Sequence, residues 1–207
     1  MNNDIDNLAD LVDELATRIP EATTLLKLLI SNTDDEFDEL LERIFEDAID
    51  HIERNANHLV DDNEEKISAY LSARLSILDI LWATQETHCN GHVDITILGR
   101  SRSGLRRRLC EAKIYDGPKN HIEGLEQLIN RYATGREGLG FIIEYVKKQK
   151  IKELVVTMRS YLDQNKPCSQ DGESKDHRIR WAFITNHEHS SGDNFRVLHL
   201  NCNLFRP

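Results

Sequence analysis

Two stretches of this chain place charged side chains inside apolar, strand-like sequence: GHVDITIL from Gly91 and LCEAKIY from Leu109. In the first, Val93, Ile95 and Ile97 alternate with Asp94 and Thr96, and a period of two sends alternate side chains to opposite faces of a strand. In the second, Glu111 and Lys113 are two residues apart and project from one face. Edge strands showing charge to water would account for either stretch alone. The conjunction points elsewhere, because a buried carboxylate is costly unless it is paired or bound to a metal. Two adjacent strands that converge three charged groups predict a cation site. Between them, Gly99 to Leu109 contains Arg100, Arg102, Arg106, Arg107 and Arg108 around Gly104. That loop is either a solubilising hairpin tip or a set of guanidiniums suited to phosphate oxygens.

The elements that must hold these residues follow from periodicity. Ile5, Leu8, Leu11, Leu15 and Ile19 fall at helical spacing up to Pro20, and EATTLLKLLIS makes a second short apolar segment. Thr33 and Glu36 form a capping-box pattern ahead of a helix whose Phe37, Leu40, Leu41, Ile44, Phe45, Ile49 and Ile52 make one stripe. After a break at HLVDDN a helix is expected from Glu64 to about Ile80, with Ile67, Leu71, Arg74, Leu75 and Leu78 on one side. Glu64 lies three and seven residues before Ile67 and Leu71 and shares their face, whereas Glu65 faces outward. Beyond the second acidic strand, HIEGLEQLINRY reads as a helix with Ile122, Leu125, Leu128, Ile129 and Tyr132 inward and Gln127 and Arg131 on one flank. GLGFIIEYV is then a buried strand, KIKELVVTMRSYLDQ a helix, PCSQDGESKDH a loop, and RIRWAFITN with FRVLHLN a closing pair of strands. The expected organisation is an acidic helical bundle over 1–62 and a mixed α/β domain over 63–207.

Composition bounds the functions available. With 207 residues the chain can bury one sizeable core. No run approaches a transmembrane span, and the acidic N-terminus is unlike a signal peptide, so a cytoplasmic protein without membrane contact is expected. Cys89, Cys110, Cys168 and Cys202 show no CxxC spacing, which fits reduced thiols. The net charge of −10 argues against nucleic acid until it is divided. Residues 1–65 hold 20 acids against 4 Lys and Arg, while residues 66–207 hold 16 against 22. The acidic third could be a solvated surface, could mimic DNA or guard the basic remainder, or could serve as a homo-oligomer or partner surface through its stripe on residues 37–52.

The order of helix, three strands, helix and strand, with acids at these points, resembles the PD-(D/E)XK nuclease superfamily, whose fold is restriction-endonuclease-like. Asp94 on one strand, then Glu111, Ala112 and Lys113 on the next, match its signature, although Val93 stands where the name has proline. Glu64 matches the acid that many members carry on the preceding helix. Gln127 and Tyr132 match a Gln and Tyr on the following one, at a spacing of five where four is usual. The resemblance covers roughly residues 64–146 and implies an α-β-β-β-α-β core, here with the acidic bundle before it and a helix plus β-hairpin after it. It implies a metal-dependent DNA endonuclease, and small acidic members of this kind resemble effectors of prokaryotic defence against phage. On that reading Asp94, Glu111, the Ala112 carbonyl and Glu64 hold Mg²⁺, with Mn²⁺ able to substitute. Lys113 orients the attacking water, Gln127 positions Lys113 or the phosphate, and Arg131 with the five arginines holds the backbone. A non-cleaving nucleic-acid-binding or scaffold subunit with the same fold is the alternative. A zinc site of His187, His189, His199 and Cys202 is a third possibility.

Overall fold

The computed structural model describes residue 14 and residues 17–18, 20–77, 79–88 and 91–207. Ile5, Leu8, Leu11, Leu15 and Ile19, and with them Leu78 and Cys89, lie outside the described residues. Two helices come first, α1 (Pro20–Ile30) and α2 (Asp34–Arg54), followed by the single turn α3 (Ala56–Leu59) and by α4 (Glu64–Leu75). Strands β1 (Leu81–His88), β2 (Gly91–Ser101) and β3 (Gly104–Ile114) lead to α5 (Pro118–Glu126), which continues as a π-helical segment over Gln127–Tyr132. The chain then forms β4 (Leu139–Val146), α6 (Ile151–Asn165), β5 (Gln170–Asp176), β6 (Phe183–Glu188) and β7 (Asn194–Asn203). The seven strands make one sheet in the order β1-β2-β3-β4-β7-β6-β5. Neighbours β3 and β4, and β4 and β7, are parallel, and the other pairs are antiparallel.

All eight residues of β4 are buried, as expected for the central strand of a sheet covered on both faces. On one face Leu28, Phe37, Phe45 and Leu71 of the early helices share a core with Ile95, Ile97, Phe141 and Leu198 of the strands. On the other, Leu125, Leu128, Val155 and Met158 pack on Leu109, Ile142 and Val197. The boundary expected at 62/63 therefore runs through one hydrophobic cluster. The apolar stripe of α2, which the sequence offered as a partner surface, lies on the sheet of its own chain. Several predicted elements change length or type, among them the strand expected from Arg178, which begins at Phe183, and the helix expected over HIEGLEQLINRY, which turns π-helical at Gln127. The helix expected to reach Ile80 stops at Ser76, the expected loop PCSQDGESKDH contains β5, and the arginine loop is the β2–β3 hairpin itself with a turn at Arg102 and Ser103. β5 escaped notice because it is a polar edge strand with no apolar alternation.

Gly99 shows how closely α2 approaches the sheet. A Cβ built there would stand 2.5 Å from Phe37 Cζ and 2.9 Å from Leu81 Cδ1. Gly99→Ala is expected to lower stability by about 1–3 kcal/mol, because a rigid ring on a packed helix has no room to retreat. Denaturant unfolding of the variant beside the parent measures this.

Candidate active site

The site is built where β2 and β3 part. Their antiparallel pairing runs from Ser101 and Gly104 down to Ile95 and Cys110, and no partner follows. In the β1–β2 pair, Thr84 faces Thr96 but Glu86 faces Val93, so Gln85 opposes both Asp94 and Ile95. This is a β-bulge, which bends a strand and re-aims a side chain. Its effect is visible in the core: Ile95 and Ile97 belong to the α2 side, whereas Val93 packs on the α5 side. The strict alternation expected of this strand is broken at the acid.

Beyond Cys110, carboxylates replace a neighbouring strand along the β3 edge. The Ala112 N–H donates to Asp94 Oδ2 at 2.9 Å, and the Ile114 N–H donates to Glu64 Oε2 at 2.9 Å. N–H and C=O of one strand residue point to the same edge, so the Ala112 carbonyl also faces this opening. Glu64 is delivered by the start of α4, where Asn63 caps the helix by accepting from the Lys66 N–H. Glu65 is exposed, as the helical register required.

Lys113 gathers the acids. Its Nζ lies 2.7 Å from Glu111 Oε1, 3.8 Å from Glu64 Oε1 and 3.9 Å from Asp94 Oδ2. Gly124 of α5 lies over the Lys113 stem, and a Cβ there would meet Lys113 Cγ at 3.4 Å. Glu111 is 2% exposed and its Oε2 is buried with no partner. Burial first, then the Asp94 charge, pushes the Glu111 pKa up to about 8 against the pull of Lys113. Burial also works against the Lys113 ammonium, but Glu111, Asp94 and Glu64 outweigh it and hold the lysine above its ordinary value.

The stability consequence has a definite sign. Folded Glu111 keeps a proton that the unfolded chain releases near 4.5, so this residue makes stability fall as pH rises from there to about 8. Glu111→Gln is therefore expected to be more stable than the parent at pH 9, by about 1–3 kcal/mol, and to differ little at pH 4. Urea unfolding without added metal at the two pH values measures the difference.

The π-helical segment settles a spacing that looked wrong. Hydrogen bonds from i to i+5 widen each turn, so a residue five places on occupies the face that i+4 takes in an α-helix. Tyr132 is accordingly buried below Gln127's turn, and its phenol pKa is raised by burial and then by the Glu111 and Asp94 charges. Gln127 Oε1 is buried without a partner, and Gln127 lines a cavity of about 310 Å³ with Glu123, Glu126, Asn130 and Arg131.

The arginines divide. Arg108 is buried on the α2 side, donating to Asp38 at 2.7 Å and Asp34 at 2.8 Å. Arg106 pairs with Asp34 and donates to the Asn32 carbonyl at 2.8 Å, and Arg107 pairs with the buried Glu137. Arg100 is exposed with its guanidinium 5.1 Å from the centre of the Trp82 ring, and Arg102 is exposed at the turn. At about 3.3 Å per residue the hairpin tip lies roughly 25 Å along β2 from Asp94. The arginine cluster expected beside the acids is thus distant or engaged by carboxylates, while exposed Arg131 stays on the helix that covers the site.

Among the described residues no three His, Cys, Asp or Glu side chains stand as a metal-holding group. At this site Asp94 and Glu64 each give one oxygen to a β3 amide and Glu111 gives one to Lys113. What remains is a set of hard oxygen donors that includes the unpartnered Glu111 Oε2, and this fits Mg²⁺ or Mn²⁺ in kind. The zinc site raised as a third possibility is not assembled: His199 lies on the α5 face, whereas Cys202 is buried in the core on the opposite one. Glu144 was missed, although an acid inside the apolar strand GLGFIIEYV was itself a signal. No protein-family model, no curated protein and no solved structure matches this chain.

Proposed function

We propose that this chain is a divalent-metal-dependent nuclease that hydrolyses phosphodiester bonds in DNA. The observation that carries the reading is the convergence of Asp94, Glu111 and Glu64 on Lys113 at an opened strand edge. The order α4-β1-β2-β3-α5-β4, with three antiparallel strands followed by a parallel one, supports a restriction-endonuclease-like core. No helix among the described residues is long and apolar enough to cross a membrane.

Each residue has a task. Asp94, Glu111, Glu64 and the Ala112 carbonyl offer the oxygens that would hold Mg²⁺, which when bound neutralises phosphate charge and makes a water more acidic. Lys113, kept as an ammonium by three acids, orients the attacking water and offsets charge on the phosphate as it forms. Gln127, on the segment that continues α5, would position Lys113 or the phosphate. Arg131 binds the backbone, and Arg100 and Arg102 at the hairpin tip reach a more distant part of a long substrate.

Incubating the chain with DNA and Mg²⁺ or Mn²⁺ tests the activity. Binding separates the arginines. Arg131→Ala should weaken DNA affinity and reduce the salt slope by about 1, as expected for one lost phosphate contact. Arg108→Ala should act through stability, since Asp38 and Asp34 already hold its guanidinium. Fluorescence anisotropy across a salt series reads both.

A further inference from the structure

The α5 face carries a second polar row that the proposed chemistry does not use. Glu144 Oε1 lies 2.6 Å from His121 Nδ1, and His121 Nε2 lies 2.8 Å from His199 Nδ1. The row continues from His199 Nε2 to Thr185 Oγ1 at 2.7 Å and from there to His187 Nε2 at 2.7 Å. It ends where His187 Nδ1 meets the Cys168 carbonyl at 3.1 Å. No side chain in it belongs to a residue more than 1% exposed. Phe183 stacks on His199 with ring centres 4.3 Å apart.

Counting protons gives the row a direction. A carbonyl only accepts, so His187 Nδ1 carries the hydrogen. Burial pushes the His187 pKa down to about 4, so the ring is neutral and its bare Nε2 accepts from the Thr185 hydroxyl. That hydroxyl accepts in turn from His199 Nε2–H. Burial also holds His199 neutral, so its bare Nδ1 accepts from His121 Nε2–H. The remaining contact, His121 Nδ1 to Glu144 Oε1, then contains one further proton, and the pair carries no net charge. Glu144 Oε2 is buried with no partner, so an ionised carboxylate would leave a charged oxygen unsatisfied, and burial also raises the Glu144 pKa; both favour the proton on the carboxyl.

Glu144 is also the register partner of Lys113 across the parallel β3–β4 pair, where partners share a face. An ionised Glu144 would compete with Glu111 for the ammonium. We propose that His121 and His199 hold Glu144 as a neutral acid, and that Glu144 is thereby a positioning residue which keeps Lys113 on Glu111. The role of that position rests on the reading of Lys113 as the water-handling group, but the arrangement itself is open to measurement without any substrate.

Imidazole ¹⁵N spectra of the full chain at neutral pH are expected to show His187 protonated on Nδ1 and His199 on Nε2. A bare His121 Nδ1 is expected beside them. The reverse tautomers, which an ionised Glu144 beside a neutral His121 would impose, overturn the proposal. So does an imidazolium at His121, which leaves His187 and His199 as they are but puts the shared proton on the ring. For the positioning role, His121→Phe keeps an aromatic ring beside Phe183 and leaves Glu144 to recruit Lys113. Nuclear Overhauser contacts of the Lys113 ε-methylene are expected to move from Glu111 to Glu144, and cleavage to fall about tenfold to a hundredfold. Adding Glu144→Gln should return the contacts to Glu111 and recover most of the loss. A folded double variant no better than the single one overturns the positioning role. Should His121→Phe not fold, Glu144→Gln alone must leave Lys113 on Glu111, and a displaced Lys113 overturns the role. If the parent chain cuts no nucleic acid, tautomers and Overhauser contacts still decide this proposal, and only the nuclease reading is lost.

Discussion

Lys113→Ala is expected to lower the rate of phosphodiester cleavage by two to four orders of magnitude while the chain remains folded. A positioned group that handles the proton and charge of an attacking water contributes about 10²–10⁴ in rate. Lys113 is the one side chain that touches all three site carboxylates, at 2.7, 3.8 and 3.9 Å. Its stem lies under Gly124 of α5, its side chain keeps 16% exposure, and the Glu111 left behind can hold its proton, so truncation leaves the fold in place. On the proposed reading the loss should fall on kcat more than on KM, because the lysine would act on the reacting water and Arg131 on the bound backbone. Asp94→Ala should cost a similar factor by a different route. It removes an oxygen that would hold the proposed metal and also the acceptor of the Ala112 N–H, which loosens the β3 edge. Steady-state cleavage of a labelled oligonucleotide by each purified variant measures both.

The largest effect on stability is expected at Asp38, far from the chemistry. Asp38 Oδ1 accepts from Arg108 Nε at 2.7 Å, and Oδ2 lies 3.3 Å from an Arg196 amine. The Asp38 and Arg108 side chains are 3% and 2% exposed, and burial pushes the Asp38 pKa above its ordinary value despite both arginines. Breaking a buried pair by removing one partner typically costs about 3–5 kcal/mol, because the surviving charge has no water to turn to. Asp38→Ala should lose that much in urea unfolding, a large part of the stability of an ordinary domain. Replacing Asp38 and Arg108 together with leucine should recover most of it, since neither charge then remains to be desolvated. This pair also accounts for the division of charge along the chain. The acids of α2 are complementary to basic groups of the later half, as Asp34 is to Arg106 and Arg108, and Glu42 and Glu46 are to Arg178. Much of the acidity that suggested a DNA mimic or a guard is used to dock a helix on its own sheet.

How far the site could be read in advance depended on whether its residues obeyed a simple period. Glu111 and Lys113 did, being two apart on an unbroken strand. Glu64 did as well, because its place relative to Ile67 and Leu71 fixes its face on a helix. Asp94 was found for its type, yet its aim comes from a bulge at Asp94 and Ile95 that leaves no mark in an alternating sequence. The five-residue spacing from Gln127 to Tyr132 falls in a π segment, which the α-helical period of the sequence does not announce. The five arginines are neighbours in sequence but divide in space. A long two-stranded hairpin carries its tip away from its base, and Arg106 and Arg108 were matched by acids some seventy residues earlier. The Glu144 row could not be assembled from sequence at all, since it joins β4, α5, β6 and β7.

The most direct measurement is cleavage by the full chain of single- and double-stranded DNA and of RNA, with Mg²⁺ or Mn²⁺, with a chelator, and with Lys113→Ala in parallel. Attack by water with departure of the 3′-oxygen predicts metal-dependent cuts that leave 5′-phosphate and 3′-hydroxyl ends, lost with the chelator and with Lys113→Ala. Absence of cleavage on every substrate, cleavage that the chelator or Lys113→Ala leaves unchanged, or products ending in 3′-phosphate would contradict the assignment.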